Sequence, residues 1–383
     1  MSTPALAVPS PGARPAPALG AGAGWIANAA YDGAFFVGSM ALCVALVAVA
    51  IARPAYAIPA TVVAGVLFAN THNLLTGFFF LDAENLAYYR RWPHYYFTVP
   101  VLLLAVSMAT FVWSPPLAFT LHFFFTTWHV VRQSVGIQKL YLGKARAADF
   151  DRNLDAGLIY AAVVVLHAFA IWKFRPLWAT KALAPVEVHA AGAGLTAGIV
   201  ALLAVTMLAR VLWLGWREGR VAWPRLGFGL TSIGMYTPYL VIDQYQVAFM
   251  AGILPHYVQY HGIFWLVGQN KYAGNAAYEG TVLGRLARDL RVWVLVVVAA
   301  AAVMAIFRAP YFLAEKNPAL AIRWSWQINL AVGFFYGLGW MHFYLDGLLF
   351  RFRYPEVRAA ILRYLRDPRR TPALGAPASA PAR

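Results

Sequence analysis

Apolar residues fall in blocks of about 17 to 27 along almost the whole chain, separated by short loops that carry most of the charge. A helix rises 1.5 Å per residue, so blocks of this length match the thickness of a bilayer's hydrocarbon core. Ten such segments are predicted as membrane-spanning helices, at roughly 33–52, 57–81, 97–113, 116–142, 154–173, 190–214, 225–241, 246–270, 291–308 and 327–350. The pattern therefore predicts an all-α polytopic transmembrane helix bundle over residues 31–353. Residues 1–30 are rich in Pro, Ala and Gly and lack the basic region followed by an apolar run that a cleaved signal peptide needs. A disordered tail is expected there, and a basic, partly disordered tail over 354–383.

Loop charge sets the orientation. With both termini cytoplasmic, only Arg53, Lys173, Arg175, Lys181, Arg308, Lys316 and Arg323 of the 31 Lys and Arg residues fall on the outer side. Such an excess of basic residues inside is what membrane insertion selects, and it fits an even number of spans. The expected location is a bacterial inner membrane. The net charge of +16 then reads as a topology signal and an attraction to anionic lipid, with "RFRYPEVRAAILRYLRDPRR" as the strongest basic stretch. A nucleic-acid partner is not needed to explain it.

Composition narrows the chemistry. The chain is 61% hydrophobic and 12% charged, and its single cysteine, Cys43, lies within the first apolar block. Neither a disulfide framework nor a thiolate metal site can be built, so any metal must be held by nitrogen and oxygen.

The histidines supply the nitrogen. His72, His129, His261 and His342 each lie about 13 to 15 residues, or roughly 20 Å, from the outer ends of four spans that run in the same direction. His122 and His256 lie slightly nearer the outer face. His122 and His129 are two helical turns apart and share a polar stripe with Arg132, Gln133 and Gly136, which must turn away from lipid. His342 and Asp346 are spaced i, i+4, so the carboxylate can orient the imidazole or share its ligand face. Gly339 is expected to let a neighbouring helix come close. His256 and His261 are about 140° apart around an ideal helix. A kink or widened turn at Pro255 is therefore expected, so that both can face one cavity. His94, His167 and His189 read as interfacial or packing residues, and Trp128, Trp265 and Trp340 as cavity packing. The span at 190–214 holds no ionisable group between His189 and Arg210 and reads as scaffold or lipid-facing wall.

Polar groups at mid-membrane are costly and are usually retained for function. Six histidines at similar depth suit a metal centre with His72, His122, His129, His256, His261 and His342 as candidate ligands. Asp346 would bind or orient, and Arg132 would neutralise a headgroup or carboxylate. The expected cofactor is non-haem iron, one ion or two, with haem b as the alternative use of the same imidazoles. The expected function is a membrane oxidoreductase acting on a lipophilic small molecule, a lipid or isoprenoid, with membrane lipids around it and a redox partner. The alternatives are a haem-binding electron-transfer protein and a proton-coupled transporter using the histidines and Asp243 as a relay.

The stretches "THNLLTGFFFLDAENLAYYRRWPHYYFTVP", "WHVVRQSVGIQKLY", "HYVQYHGIFWLVGQNKY" and "HFYLDGLLFRFR" together resemble a group of bacterial multi-pass membrane proteins with the same histidine-containing signatures. The resemblance implies a helical membrane fold and supplies no activity. Membrane desaturases and hydroxylases are similar only distantly, since their HxxxxH box occurs once, at His256 and His261, and their HxxHH box is absent. Carotene-cleaving membrane oxygenases share only the scatter of histidines over several spans. The paired HH of haem–copper oxidases is also missing.

The orientation has a direct test. A reporter enzyme fused after Arg353 is expected to be active only in its cytoplasmic form; activity confined to the periplasmic form would overturn the topology.

Overall fold

The computed structural model of the chain describes residues 24–174, 186–273, 275–316, 324–350 and 361–366. These form helices, and no strand occurs among the described residues. The tails expected over 1–30 and 354–383 lie largely outside the described residues.

In chain order the principal helices are α1 (Ala29–Val37 and Met40–Ala52, bent by 41°), α2 (Pro54–Leu81) and the short α3 (Ala83–Tyr89). There follow α4 (His94–Trp113), α5 (Pro115–Lys144), α6 (Asp149–Phe174), α7 (Val186–Glu218) and α8 (Trp223–Gly234). The last are α9 (Tyr245–Lys271), the short α10 (Val282–Arg288), α11 (Leu290–Lys316) and α12 (Ser325–Leu349). Nine of the ten expected segments fall on a helix; the other, 225–241, is broken by a turn at 235–237 after α8. Prolines open α2, α5 and α8, where a missing backbone N–H costs nothing.

Four helices among the described residues, α2, α4, α6 and α7, are long and apolar enough to cross a membrane, or up to six if α1 and the bent pair α10–α11 each count as one. That is fewer than ten. Of the four that fall short, α8 is only 12 residues long, and α5, α9 and α12 carry the histidines and other polar residues that lower their hydropathy. The assignment of α7 as an outer wall agrees with its exposed Leu195, Leu202 and Val205.

Two apolar clusters flank the centre. One gathers Val130, Ile159, Met207 and Ile253, the other Phe79, Ile263, Phe264 and Leu345, with α9 contributing to both, as does α5 through Val130 and Ile137. In lipid there is little hydrophobic gain from helix association, so close packing and hydrogen bonds carry it. The tightest approach is between α4 and α12. A Cβ at Gly333 would lie 2.6 Å from Met108 Cα, and one at Gly337 3.2 Å from Leu104 Cα. Ser107 Oγ donates to the Gly333 carbonyl at 2.9 Å across the same seam. Gly339, where close approach was expected, meets only side chains at ordinary distances of 3.6 Å or more.

Polar clamps hold the helix ends. Arg225 on α8 bonds both oxygens of Asp155 at 2.8 Å, Gln138 on α5 reaches the same carboxylate at 2.7 Å, and Arg210 on α7 binds Asp151 at 2.7 Å. Lys271, at the end of α9, is fully buried against Asp82, which also accepts from Tyr272 at 3.0 Å and Tyr278 at 3.1 Å. Burial alone would raise the Asp82 carboxyl's pKa, but the Lys271 ammonium and the donors around it hold it below its ordinary value of 3.8.

A carboxyl with a depressed folded-state pKa contributes stability above its unfolded pKa and loses it as pH falls through the folded value. The melting temperature in detergent is therefore expected to drop below about pH 4, with a smaller drop in Asp82→Asn. Lys271→Met should cost about 3–5 kcal/mol, because it strands a buried carboxylate. An unchanged melting point in Lys271→Met would remove the clamp from the account of stability.

Candidate metal centre

Four helices deliver one imidazole each to a common point. His72 on α2, His129 on α5, His256 on α9 and His342 on α12 are all buried, and none is more than 7% exposed. Ring centroids lie 4.3 Å apart for His72 and His342, 4.7 Å for His72 and His256, 4.8 Å for His129 and His342, and 5.0 Å for His129 and His256. One nitrogen from each of His72, His129 and His342 lies within 4.8 Å of the others, so these three could hold a metal ion.

A second layer lies one turn further along the same helices. Thr76 follows His72 by four residues, Tyr260 follows His256, and Asp346 follows His342, and i, i+4 spacing keeps each on the face of its histidine. Thr76 Oγ1 donates to Asp346 Oδ1 at 3.0 Å, and Tyr260 OH donates to the same oxygen at 2.9 Å. Thr76 Oγ1 also lies 2.7 Å from His342 Nδ1. A hydroxyl has one proton, and a carboxylate can only accept. With that proton on Asp346, Thr76 accepts from His342 Nδ1–H, which makes Nε2 of His342 the lone-pair nitrogen.

The remaining donors point at one another without partners. Nε2 of His129, Nε2 of His342 and Oδ2 of Asp346 are buried and make no hydrogen bond. Asp346 Oδ2 lies 3.7 Å from His342 Nε2 and 4.0 Å from His129 Nε2. Donor atoms on one metal at about 2.1 Å stand roughly 3 to 4.2 Å apart, and both of these carboxylate–imidazole distances fall in that range. His256 Nε2 and His72 Nε2 are 3.2 Å apart and share a proton, which fixes one ring by the other. Such a concentration of unsatisfied groups away from water is costly unless something binds it.

The structure sorts the expected residues. His72, His129, His256, His342 and Asp346 come together. His261 does not: its Nε2 lies 3.0 Å from Thr71 Oγ1, and its ring packs edge-on to Phe68. The reason is the course of α9, which runs as α-helix through Pro255 with no widened turn, so two histidines five residues apart diverge. A π-helical turn lies instead in α2, over Gly65–Asn70, immediately before Thr71 and His72. His122 also stands apart. Its Nε2 meets Thr126 Oγ1 at 3.2 Å, and Phe343 lies between it and His129, 5.8 Å from one ring and 4.7 Å from the other. Arg132 is exposed beside the Trp128 ring and reaches a cleft next to the cluster rather than the cluster itself. Asp243 is ion-paired to Lys173 at 2.9 Å with its side chain 94% exposed. His167 bonds the Val163 carbonyl and packs between Phe123 and Tyr236.

Three contributors were not expected from the sequence: Thr76, Tyr260 and Tyr257, whose ring lies 5.0 Å from His72. The first two carried a usable signal, a polar group four residues after a histidine. Tyr257 carried none.

No family model matches the chain, and neither a curated protein nor a solved structure does.

The proton count can be checked by nitrogen NMR of labelled histidine. His342 is expected as the Nδ1–H tautomer, with that signature lost in Thr76→Val and the fold destabilised by about 1–3 kcal/mol as a buried donor loses its acceptor. An Nε2–H tautomer in the wild type would overturn the assignment.

Proposed function

We propose that this chain is a bacterial inner-membrane metalloprotein with ten spans and both termini cytoplasmic. In this reading it is a non-haem iron oxidoreductase acting on a lipid or isoprenoid. The observation that carries it is the buried group of His72, His129 and His342, whose nitrogens lie within 4.8 Å of one another, with the unpartnered Asp346 oxygen 3.7 Å from His342 Nε2 and 4.0 Å from His129 Nε2. Two imidazoles and one carboxylate, with further positions open, are the donor set of oxygen-activating iron, and imidazole alone would suit zinc or copper as well. Bound there, iron would supply activation of dioxygen, which partitions into bilayers together with lipophilic substrates. The chain's own residues would hold the ion, fix the imidazole tautomers through Thr76 and His256, and keep water out. Electrons would come from a redox partner.

The haem reading has weaker support. A porphyrin needs a slot as wide as the macrocycle between its axial imidazoles, whereas the His72 and His342 rings touch edge to face at 4.3 Å. A relay through Asp243 has weaker support too, since that carboxylate is paired with Lys173.

Elemental analysis of the purified protein is expected to find iron, with no Soret absorption. His129→Ala should lose most of it, while His167→Ala, outside the cluster, should keep it. A Soret band would replace this reading with the haem protein, and metal-free wild-type protein would end both.

A further inference from the structure

A cleft of about 1300 Å³ runs along α5 and reaches the cluster from one side, where His129 and Asp346 form part of its wall. This is more room than a compact polar metabolite requires, since pockets for small molecules are typically about 300–1000 Å³. The face of α5 that lines it extends from Phe125 to Lys139, about 21 Å along the axis. Its two ends differ in chemistry. Around Phe125 the wall is aromatic, with Trp128 and Trp340, and the Phe125 and Trp340 rings meet at 5.2 Å. Beyond His129 it becomes cationic, with Arg132 and Lys139 exposed and without an acidic partner among the described residues. The other charges in the wall nearly cancel: Arg152 pairs with Asp149 at 3.9 Å, and Asp346 belongs to the cluster. Between the two ends the buried amide of Gln133 has no hydrogen-bond partner on either its nitrogen or its oxygen.

We infer that the cleft binds a long-chain amphiphile with an anionic headgroup, a carboxylate or phosphate, held by Arg132 and Lys139, with its chain running past His129 towards Phe125. Arg132 lies three residues and Lys139 ten residues beyond His129, so the headgroup sits about 5–15 Å along the axis from the cluster. A carbon in the interior of the chain, several methylenes from the head, is then the one that faces His129 and Asp346. Gln133 supplies a polar contact to the head. As an account of binding the inference stands on the cleft alone; as an account of the substrate it rests on the oxidoreductase reading above.

The test uses the full chain in non-ionic detergent, with a nitroxide-labelled stearate as the probe and electron paramagnetic resonance to follow its immobilisation. Oleate is expected to displace the probe, while oleyl alcohol and acetate compete poorly. Losing one charge-assisted contact should weaken oleate binding by roughly tenfold in Arg132→Gln and again in Lys139→Gln, with the metal content of both variants unchanged. Both residues are exposed, so the fold does not depend on them. Equal competition by oleyl alcohol, displacement by acetate as effective as by oleate, or wild-type affinity in the double variant would each overturn the inference. A protein that carries metal but shows no preference for the anionic chain would refute only this inference. One that shows the preference but carries no metal would refute only the oxidoreductase reading.

Discussion

A polar group taken out of water must find a partner, and in the middle of this bundle the partners come from different helices. Asp346 on α12 is satisfied on one oxygen by Thr76 of α2 and Tyr260 of α9, and His342 is held by the same Thr76. His256 of α9 is tied to His72 of α2. None of these groups could be buried on its own helix alone, since each would cost several kcal/mol unpaired. The helices that carry them are therefore fixed in rotation and depth by the site they build, in a setting where apolar surface gives little preference for one neighbour over another.

The same network leaves several buried atoms unsatisfied, among them Nδ1 of His72 and His256. Thr76 gives its single proton to Asp346, and the outer faces of His129, His342 and Asp346 are left looking at one another. Those faces border the cleft, and α5 serves both: His129 belongs to the cluster, while Arg132, Gln133 and Lys139 continue the same face away from it. A polar stripe on an otherwise apolar helix thus has two tasks along its length, donor at one level and cationic wall at the next.

The helical segments and the choice of which helices carry polar stripes were legible in the sequence, because a period near 3.6 and segment length report directly on burial and on bilayer thickness. Depth was legible only in part: His72, His129, His261 and His342 were assigned to one level and His256 to another nearer the outer face, whereas the structure joins His256, and not His261, to the other three. The i, i+4 partners Asp346, Thr76 and Tyr260 were also there to be read, although only the first was.

Rotation about each helix axis was not legible to the same degree. Whether His256 or His261 faces the centre depends on which side of α9 packs against α2 and α12, and a chain of mostly apolar residues gives both sides similar character. The continuous α-helical course through Pro255 decided for His256, and the π-helical turn before Thr71, which no local sequence signal announced, sets where His72 points. Likewise Gly333 and Gly337, not Gly339, mark the close helix contact. The sequence alone determined an all-helical chain with histidine-bearing helices, since these follow from residue type and spacing along one axis. Only tertiary structure decided which imidazoles share a centre, because that depends on how separate helices turn towards one another, and no single helix contains that information.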